Sequence, residues 1–196
     1  MELLESADER ALLWLNGWVG HFAWLDAVVE LVVSDYLVPV LLSLALLGLW
    51  FSGANPAARE RNQRGVMVGM VGLALANLTV QITNHYIFRP RPFASFDVSL
   101  LFYRPTDSSF PANPAAVGFA IATGVWIWNR KAGTLLGAIA ALFGLSRVYA
   151  GVFYPLDVVA GAAIGVGVSL AVSVALRLVE PLPTLVLRLA RTLYLA

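Results

Sequence analysis

Ser146-Arg147-Val148-Tyr149-Ala150-Gly151-Val152-Phe153-Tyr154-Pro155-Leu156-Asp157 joins two apolar runs, 131–148 and 155–178. Each run is about as long as a membrane helix, which needs roughly 17–25 mostly apolar residues. Only a tight turn separates them, so the two spans are antiparallel neighbours. Ionisable groups at membrane ends pair or mark a site, and Arg147 and Asp157 bracket this turn. They are either a mutual ion pair or the frame of a pocket.

Working outward, three further apolar runs lie near 36–53, 64–88 and 113–129. Hydrophobic residues make up 59% of the 196-residue chain and charged residues 13%. A soluble domain carries roughly 25% charge, and disorder needs low hydrophobicity and high charge. Both classes are excluded. The expected fold is an all-α integral membrane bundle of about five or six helices, forming one unit over 1–196. Residues 1–22 and 179–196 read as interfacial amphipathic helices around a bundle at 23–178. Trp14 and Trp18 suit an interface. Segment 23–34 is either a short packed helix or the start of the first span, with Asp35 as a kink or cap.

The chain contains no Cys, so thiolate metal sites, Cys nucleophiles and disulfides are excluded. The net charge of +1 implies no nucleic-acid surface. The acidic start (Glu2, Glu5, Asp8, Glu9) does not read as a cleavable signal. Positive charge gathers in an expected 54–64 loop (Arg59, Arg61, Arg64), at Arg130-Lys131, and in the tail (Arg177, Arg188, Arg191). By the positive-inside rule these mark the cytoplasmic side of a cell membrane. The C-terminus is then cytoplasmic, and 89–112 and 148–155 face outward. Arg89, Arg91, Arg104 and Arg147 break the rule, which directs attention to the outer end.

Two more clusters fall there. Asn84-His85-Tyr86-Ile87-Phe88-Arg89-Pro90-Arg91-Pro92-Phe93 ends the second long span. Its prolines stop the helix and hold two guanidiniums, whose forks suit phosphate oxygens or membrane headgroups. Asp107-Ser108-Ser109-Phe110-Pro111-Ala112-Asn113-Pro114 opens the third span, with Asn113 as an expected N-cap.

Together the three clusters resemble the type 2 phosphatidic acid phosphatase family, with small bacterial undecaprenyl-diphosphate phosphatases as the nearest flavour. The N-terminal pattern Leu15-Asn16-Gly17 to Leu25-Asp26 adds to the resemblance. It implies a helical membrane bundle with an outward phosphate pocket and a metal-free reaction through a phosphohistidine. No cofactor is expected. The first motif's phosphate-binding Arg matches Arg91, and its Lys falls at Asn84. In the second motif, Pro matches Pro111, Ser falls at Ala112, the third position at Asn113, and the proton-donating His at Pro114. In the third, the phosphate-binding Arg matches Arg147, the nucleophilic His falls at Phe153, and the orienting Asp matches Asp157.

Both catalytic histidines are thus replaced by side chains that can neither attack phosphorus nor carry a proton. The expected protein keeps the bundle and binds a lipid or lipid phosphate, or serves as an accessory subunit of a membrane complex. A homo-oligomer is a further possible partner. The expected anion site comprises Arg91, Arg147, Arg89, Asn84 and Asn113, with no metal. Two alternatives stay open. One is an active lipid phosphatase of undecaprenyl-diphosphate or phosphatidic acid type with a rebuilt site, for which His85 is the candidate imidazole. The other is a lipid-phosphate transporter lined by Asn77, Thr79, Gln81, Thr83 and Asn84. Glycines 133, 137, 144, 161, 165 and 167 allow close helix approach, within the bundle or between copies.

Overall fold

The computed structural model describes residues 2–193, with side chains from Glu5 onward. Residues 194–196 of the expected C-terminal helix lie outside that range. The described chain is helical: α1 (Glu2–Asn16), α2 (Ala23–Val33), α3 (Leu37–Phe51), α4 (Pro56–Tyr86), α5 (Pro92–Ser95), α6 (Asn113–Trp128), α7 (Arg130–Tyr149), α8 (Pro155–Leu178) and α9 (Leu182–Thr192). Three helices, α4, α7 and α8, are long and apolar enough to cross a membrane alone. The pair α2 and α3, bent by 56° at the break, is long and apolar enough only when taken together, as a broken span or a re-entrant loop. Residues 23–33 are therefore a separate helix. At the break Ser34 Oγ accepts from the Leu37 amide at 3.2 Å, leaving the Asp35 carboxylate for other partners.

The expected 54–64 loop is helix from Pro56 onward. Asn55 is an N-cap whose side chain accepts from the Ala58 amide at 2.8 Å, and Pro56 fills the first turn. This combination starts a helix even among arginines. The 31-residue α4 thus projects beyond its apolar stretch and carries Arg59, Arg61 and Arg64 on its first turns. The tail is also tied down. Arg64 Nη2 donates to Glu180 at 3.1 Å and to Thr184 at 2.9 Å, holding the start of α9 against α4.

Helix α6 is the axle of the bundle, packed by α4, α7 and α8. Ala115, Ala116, Gly118, Ala120, Ile121, Ala122, Gly124 and Val125 are all buried. Small residues let the backbones touch. A Cβ at Gly124 would collide with the Gly69 backbone of α4, and one at Gly165 of α8 with the Ala116 carbonyl. Ser169 Oγ donates to the Ala120 carbonyl at 2.7 Å across the same seam. Gly161 and Gly165 are thus consumed inside the chain, whereas Gly167 meets nothing within 4 Å.

At 16 residues α6 spans about 24 Å, less than a hydrocarbon core of roughly 30 Å. Irregular chain at 105–112 lies beyond its N-terminal end. Non-helical backbone is tolerated at membrane depth only where protein buries it or it lines a cavity. Of this stretch Ser108, Ser109, Pro111 and Ala112 are buried, and Pro105, Asp107, Ser108 and Pro111 line a cavity.

Helix α1 is docked onto this end of the bundle and ends at Asn16 rather than running to residue 22. Leu12 is fully buried and packs with Val148 and Tyr154. Asn16 Nδ2 donates to the Ser99 and Tyr149 carbonyls, both at 2.8 Å, and Asn16 Oδ1 accepts from the Ser99 amide at 2.9 Å. Asp8 Oδ1 accepts from the Leu156 amide at 2.8 Å, satisfying one of the orphan donors at the start of α8.

Candidate functional site

The three clusters meet at one end of the bundle, where α4 and α7 finish and α6 and α8 begin. They form two adjoining sites: a cavity and a closed ionic network.

The cavity has a volume of ≈190 Å³. Its wall includes Asn84, Arg91, Asn113, Pro114, Arg147 and Phe153, all six drawn from the three clusters. Asp35, Tyr103, Asp107 and Ser108 add polar groups, and Pro105 and Pro111 complete the wall.

Arg147, at the last turn of α7, is 3% exposed. Its Nη2 donates to Asp35 Oδ1 at 2.7 Å, and its Nε is buried with no partner. The guanidinium lies 4.3 Å from the Phe102 ring centre and 4.9 Å from that of Phe143, contacts that suit a desolvated cation. A guanidinium has five donors, so Arg147 keeps unspent N–H groups.

Arg91 is more fully engaged. Its Nε donates to the Asp107 carbonyl at 3.0 Å and its Nη1 to the Val152 carbonyl at 3.2 Å. Its Nη2 donates to Asp107 Oδ1 at 2.8 Å and to the Ser108 carbonyl at 3.5 Å. Four of five donors are thus used to hold the loops. Phe153, buried, lies under this guanidinium at 4.3 Å. The residue at the nucleophile position therefore serves as a platform for the neighbouring arginine.

Of the two readings of the turn, the mutual Arg147–Asp157 ion pair does not form. The carboxylate facing Arg147 comes from the break between α2 and α3. Asp157 is fully buried instead against Arg89 and Ser109, whose Nη1 and Oγ donate to its two oxygens. Arg89 Nη2 also donates to Asp8 Oδ2 at 2.9 Å, and its guanidinium stacks on Tyr154 at 3.8 Å. Burial works against the Arg89 charge, but Asp8 and Asp157 outweigh it and hold the group above its ordinary range. Arg89 is thus a structural cation with two carboxylate partners, off the cavity wall.

Asn113 is the first residue of α6 rather than its N-cap, which is Ala112. Its Nδ2 donates to Asn77 Oδ1 at 2.9 Å, so a side chain expected to close a helix end links α6 to α4. Thr79 and Thr83 Oγ atoms donate to the Leu75 and Thr79 carbonyls, both at 2.8 Å. These polar groups of α4 are therefore spent on internal bonds. Ser108 Oγ lies within hydrogen-bond distance of the Arg89 and Phe110 amides and of the Ile87 carbonyl, fixing the loop. His85 is exposed at the end of α4, edge-on to Tyr86 at 5.1 Å, and is not on the cavity wall.

Three contributors lie outside all three sequence clusters. Asp35 stood out only as a kink residue, Asp8 only as part of an acidic start, and Tyr103 not at all. Tyr103 donates to Asp35 Oδ2 at 3.1 Å. Burial first, and then the Asp35 carboxylate, push its phenol above the usual range, so it stays a donor. Among the described residues no three His, Cys, Asp or Glu side chains are grouped to hold a metal ion.

The sequence profile of the PAP2 superfamily matches residues 65–179. The chain is 33% identical over 144 residues to undecaprenyl-diphosphatase BcrC of Bacillus subtilis, covering 74% of this chain and 71% of that protein. It is 28% identical over 162 residues to putative undecaprenyl-diphosphatase YbjG of Escherichia coli, covering 81% and 77%. Among solved structures it resembles Aquifex aeolicus LpxE, with a TM-score of 0.65 and 27% identity over 83% of this chain and 92% of that one. A PAP2-type phosphatidylglycerolphosphate phosphatase of B. subtilis shares the fold at a TM-score of 0.64 and 21% identity, covering 93% and 90%.

Proposed function

This chain belongs to the PAP2 superfamily, and from that membership we propose that it uses the family's membrane bundle to bind a phosphate-bearing lipid headgroup without hydrolysing it. One observation carries the reading: Phe153 and Pro114 stand on the cavity wall at the two positions where the family resemblance places histidines. A phenyl ring cannot attack phosphorus, and a prolyl ring cannot protonate a leaving group. General acid catalysis alone typically contributes roughly 10²–10⁴-fold, and covalent catalysis has no nucleophile left at its position. His85, exposed and off the wall, gives little support to a rebuilt site. The surviving polar groups favour binding, because Arg147 retains free donors and Arg91 is held rigid beside it.

The protein would act in the cell membrane with the cavity facing outward and its C-terminus cytoplasmic. It would work as a lipid-binding protein, as an accessory subunit of a membrane complex, or as a homo-oligomer. The test is phosphate release by purified protein in detergent, from undecaprenyl diphosphate and from phosphatidic acid, with chelator present. The control is the Arg91→Ala/Arg147→Ala variant. The expected result is no release above the control. Release that the double substitution abolishes would overturn the non-catalytic reading.

A further inference from the structure

The cavity holds both signs of charge and unpaired groups of both kinds. Arg91 and Arg147 contribute two cations, and Asp35 and Asp107 two anions, so these four wall residues sum to zero. The arginines are buried, with side chains 5% and 4% exposed, while the Asp107 and Asp35 side chains are 63% and 47% exposed. On the donor side, Arg147 Nε is buried without a partner. On the acceptor side, Asn84 Oδ1 and Asn113 Oδ1 are also buried without partners. Asn113 Nδ2 is committed to Asn77, which fixes its carbonyl oxygen as the unpaired end. Buried polar groups left unpaired are costly; these three belong to wall residues, so a ligand atom reaches them by a small shift of the surrounding side chains and gains by pairing with them.

A terminal phosphate answers only half of this. Its oxygens can accept from Arg147, but they offer nothing to two amide carbonyls and meet two carboxylates of like charge. A primary ammonium answers the other half, with three N–H donors for carbonyl and carboxylate oxygens.

Resting on the reading that the cavity takes a lipid headgroup without cleaving it, we infer that this headgroup is zwitterionic. It is a phosphodiester carrying a primary ammonium, of the phosphoethanolamine kind. Its phosphate oxygens take Arg147 and the remaining N–H of Arg91. Its ammonium takes the acceptors of Asn84, Asn113, Asp35 and Asp107. At ≈190 Å³ the cavity is smaller than the roughly 300–1,000 Å³ of a typical small-molecule pocket, the scale of a headgroup and not of an acyl chain. A quaternary ammonium fits the charge but brings no N–H, so choline headgroups are discriminated against.

The experiment titrates the purified full-length protein in detergent with phosphatidylethanolamine, phosphatidylcholine and phosphatidate, and reads bound lipid by native mass spectrometry. Phosphatidylethanolamine is expected to bind about tenfold tighter than either of the others, the scale of one or two charge-assisted hydrogen bonds. In Asp35→Asn/Asp107→Asn, whose positions are half-exposed and keep a hydrogen-bonding amide, that preference disappears and phosphatidate binding strengthens. Soluble glycerophosphoethanolamine serves as competitor. Displacement at the lipid's own affinity makes the free headgroup a sufficient ligand, and weaker displacement assigns the site to the lipid. Either result supports the shared chemistry. Phosphatidate binding as tightly as phosphatidylethanolamine to the wild type overturns the zwitterion and leaves the headgroup-binding reading standing. Binding of all three lipids that is unchanged in Arg147→Met overturns both.

Discussion

Arg147 Nη2 donates to Asp35 Oδ1 at 2.7 Å, joining the last turn of α7 to the break between α2 and α3. One partner is buried and the other is half-exposed. Removing the exposed one strands a desolvated guanidinium against two phenyl rings. Removing the buried one leaves a carboxylate that solvent and Tyr103 still serve.

That asymmetry orders a set of stabilities. Asp35→Ala is expected to destabilise the protein by about 1.5–3 kcal/mol, the range for a lost hydrogen bond to a charged group. Arg147→Met places an apolar chain of similar reach between Phe102 and Phe143 and costs less, because the Asp35 carboxylate left behind is half-exposed and keeps Tyr103 as a donor. The double variant Asp35→Ala/Arg147→Met should then be more stable than Asp35→Ala alone. Thermal unfolding in detergent of the three variants checks the order. A double variant less stable than both singles would refute it.

The buried network on the other side of the turn makes a prediction about chemistry. Asp157 accepts from Arg89 and Ser109, one donor on each oxygen, so both oxygens are already turned to other partners and an added imidazole would have to share them. Restoring the family residues by Phe153→His/Pro114→His is therefore expected to give weak phosphate release. Adding Ser109→Ala, which frees one Asp157 oxygen, should raise it. The readout is phosphate released per protein from undecaprenyl diphosphate. A third substitution that leaves the rate unchanged would show that Asp157 already orients the new histidine.

At the other end of the bundle, Arg64 holds Glu180 and Thr184 and lies 5.7 Å from the Trp128 ring centre. Arg64→Ala should free α9 while the bundle stays folded, seen as faster proteolysis within 179–193 at an unchanged main unfolding transition. The Arg64 and Thr184 hydrogen bonds hold the Glu180 carboxyl below its ordinary range. A depressed carboxyl contributes its stability above the unfolded value and loses it as pH falls through the folded one. Protection of α9 should therefore be flat near neutrality and fall below about pH 4. In Arg64→Ala the protection should be low at every pH.

How much of this was legible follows from the kind of signal each residue leaves. Apolar runs gave α6, α7 and α8 to within a residue or two, because length and hydropathy are local. The start of α4 was misread because three arginines suggested a loop, whereas the Asn55-Pro56 capping pair decided the matter. The cavity wall was legible at Arg91, Arg147, Asn84, Asn113, Pro114 and Phe153, where motif spacing names positions. Pairing was not. Arg147 chose Asp35 from 112 residues away over Asp157, and Arg89 chose Asp8 and Asp157. Those choices depend on how α1 and α2 dock, which no local pattern encodes. Asp8 and Asp35 had ordinary local roles to hide behind, as part of an acidic start and as a helix break.

The glycines of the central seam permit the sharpest structural test. A Cβ at Gly165 would collide with the Ala116 carbonyl of α6, and one at Gly124 with the Gly69 backbone of α4. Backbone cannot rotate away as a side chain can, so two helices must separate. Forcing extra volume into a packed core costs typically about 1–3 kcal/mol, and each of Gly124→Ala and Gly165→Ala should lower thermal stability on that scale. Gly167 lies on the same helix with nothing within 4 Å. There the added methyl meets no neighbour within the chain, and helix propensity favours Ala by about 0.8–1.0 kcal/mol. Gly167→Ala should therefore be neutral or stabilising. If Gly167→Ala destabilises as much as Gly165→Ala, that face of α8 must itself be packed, and a second copy of the chain would have to cover it.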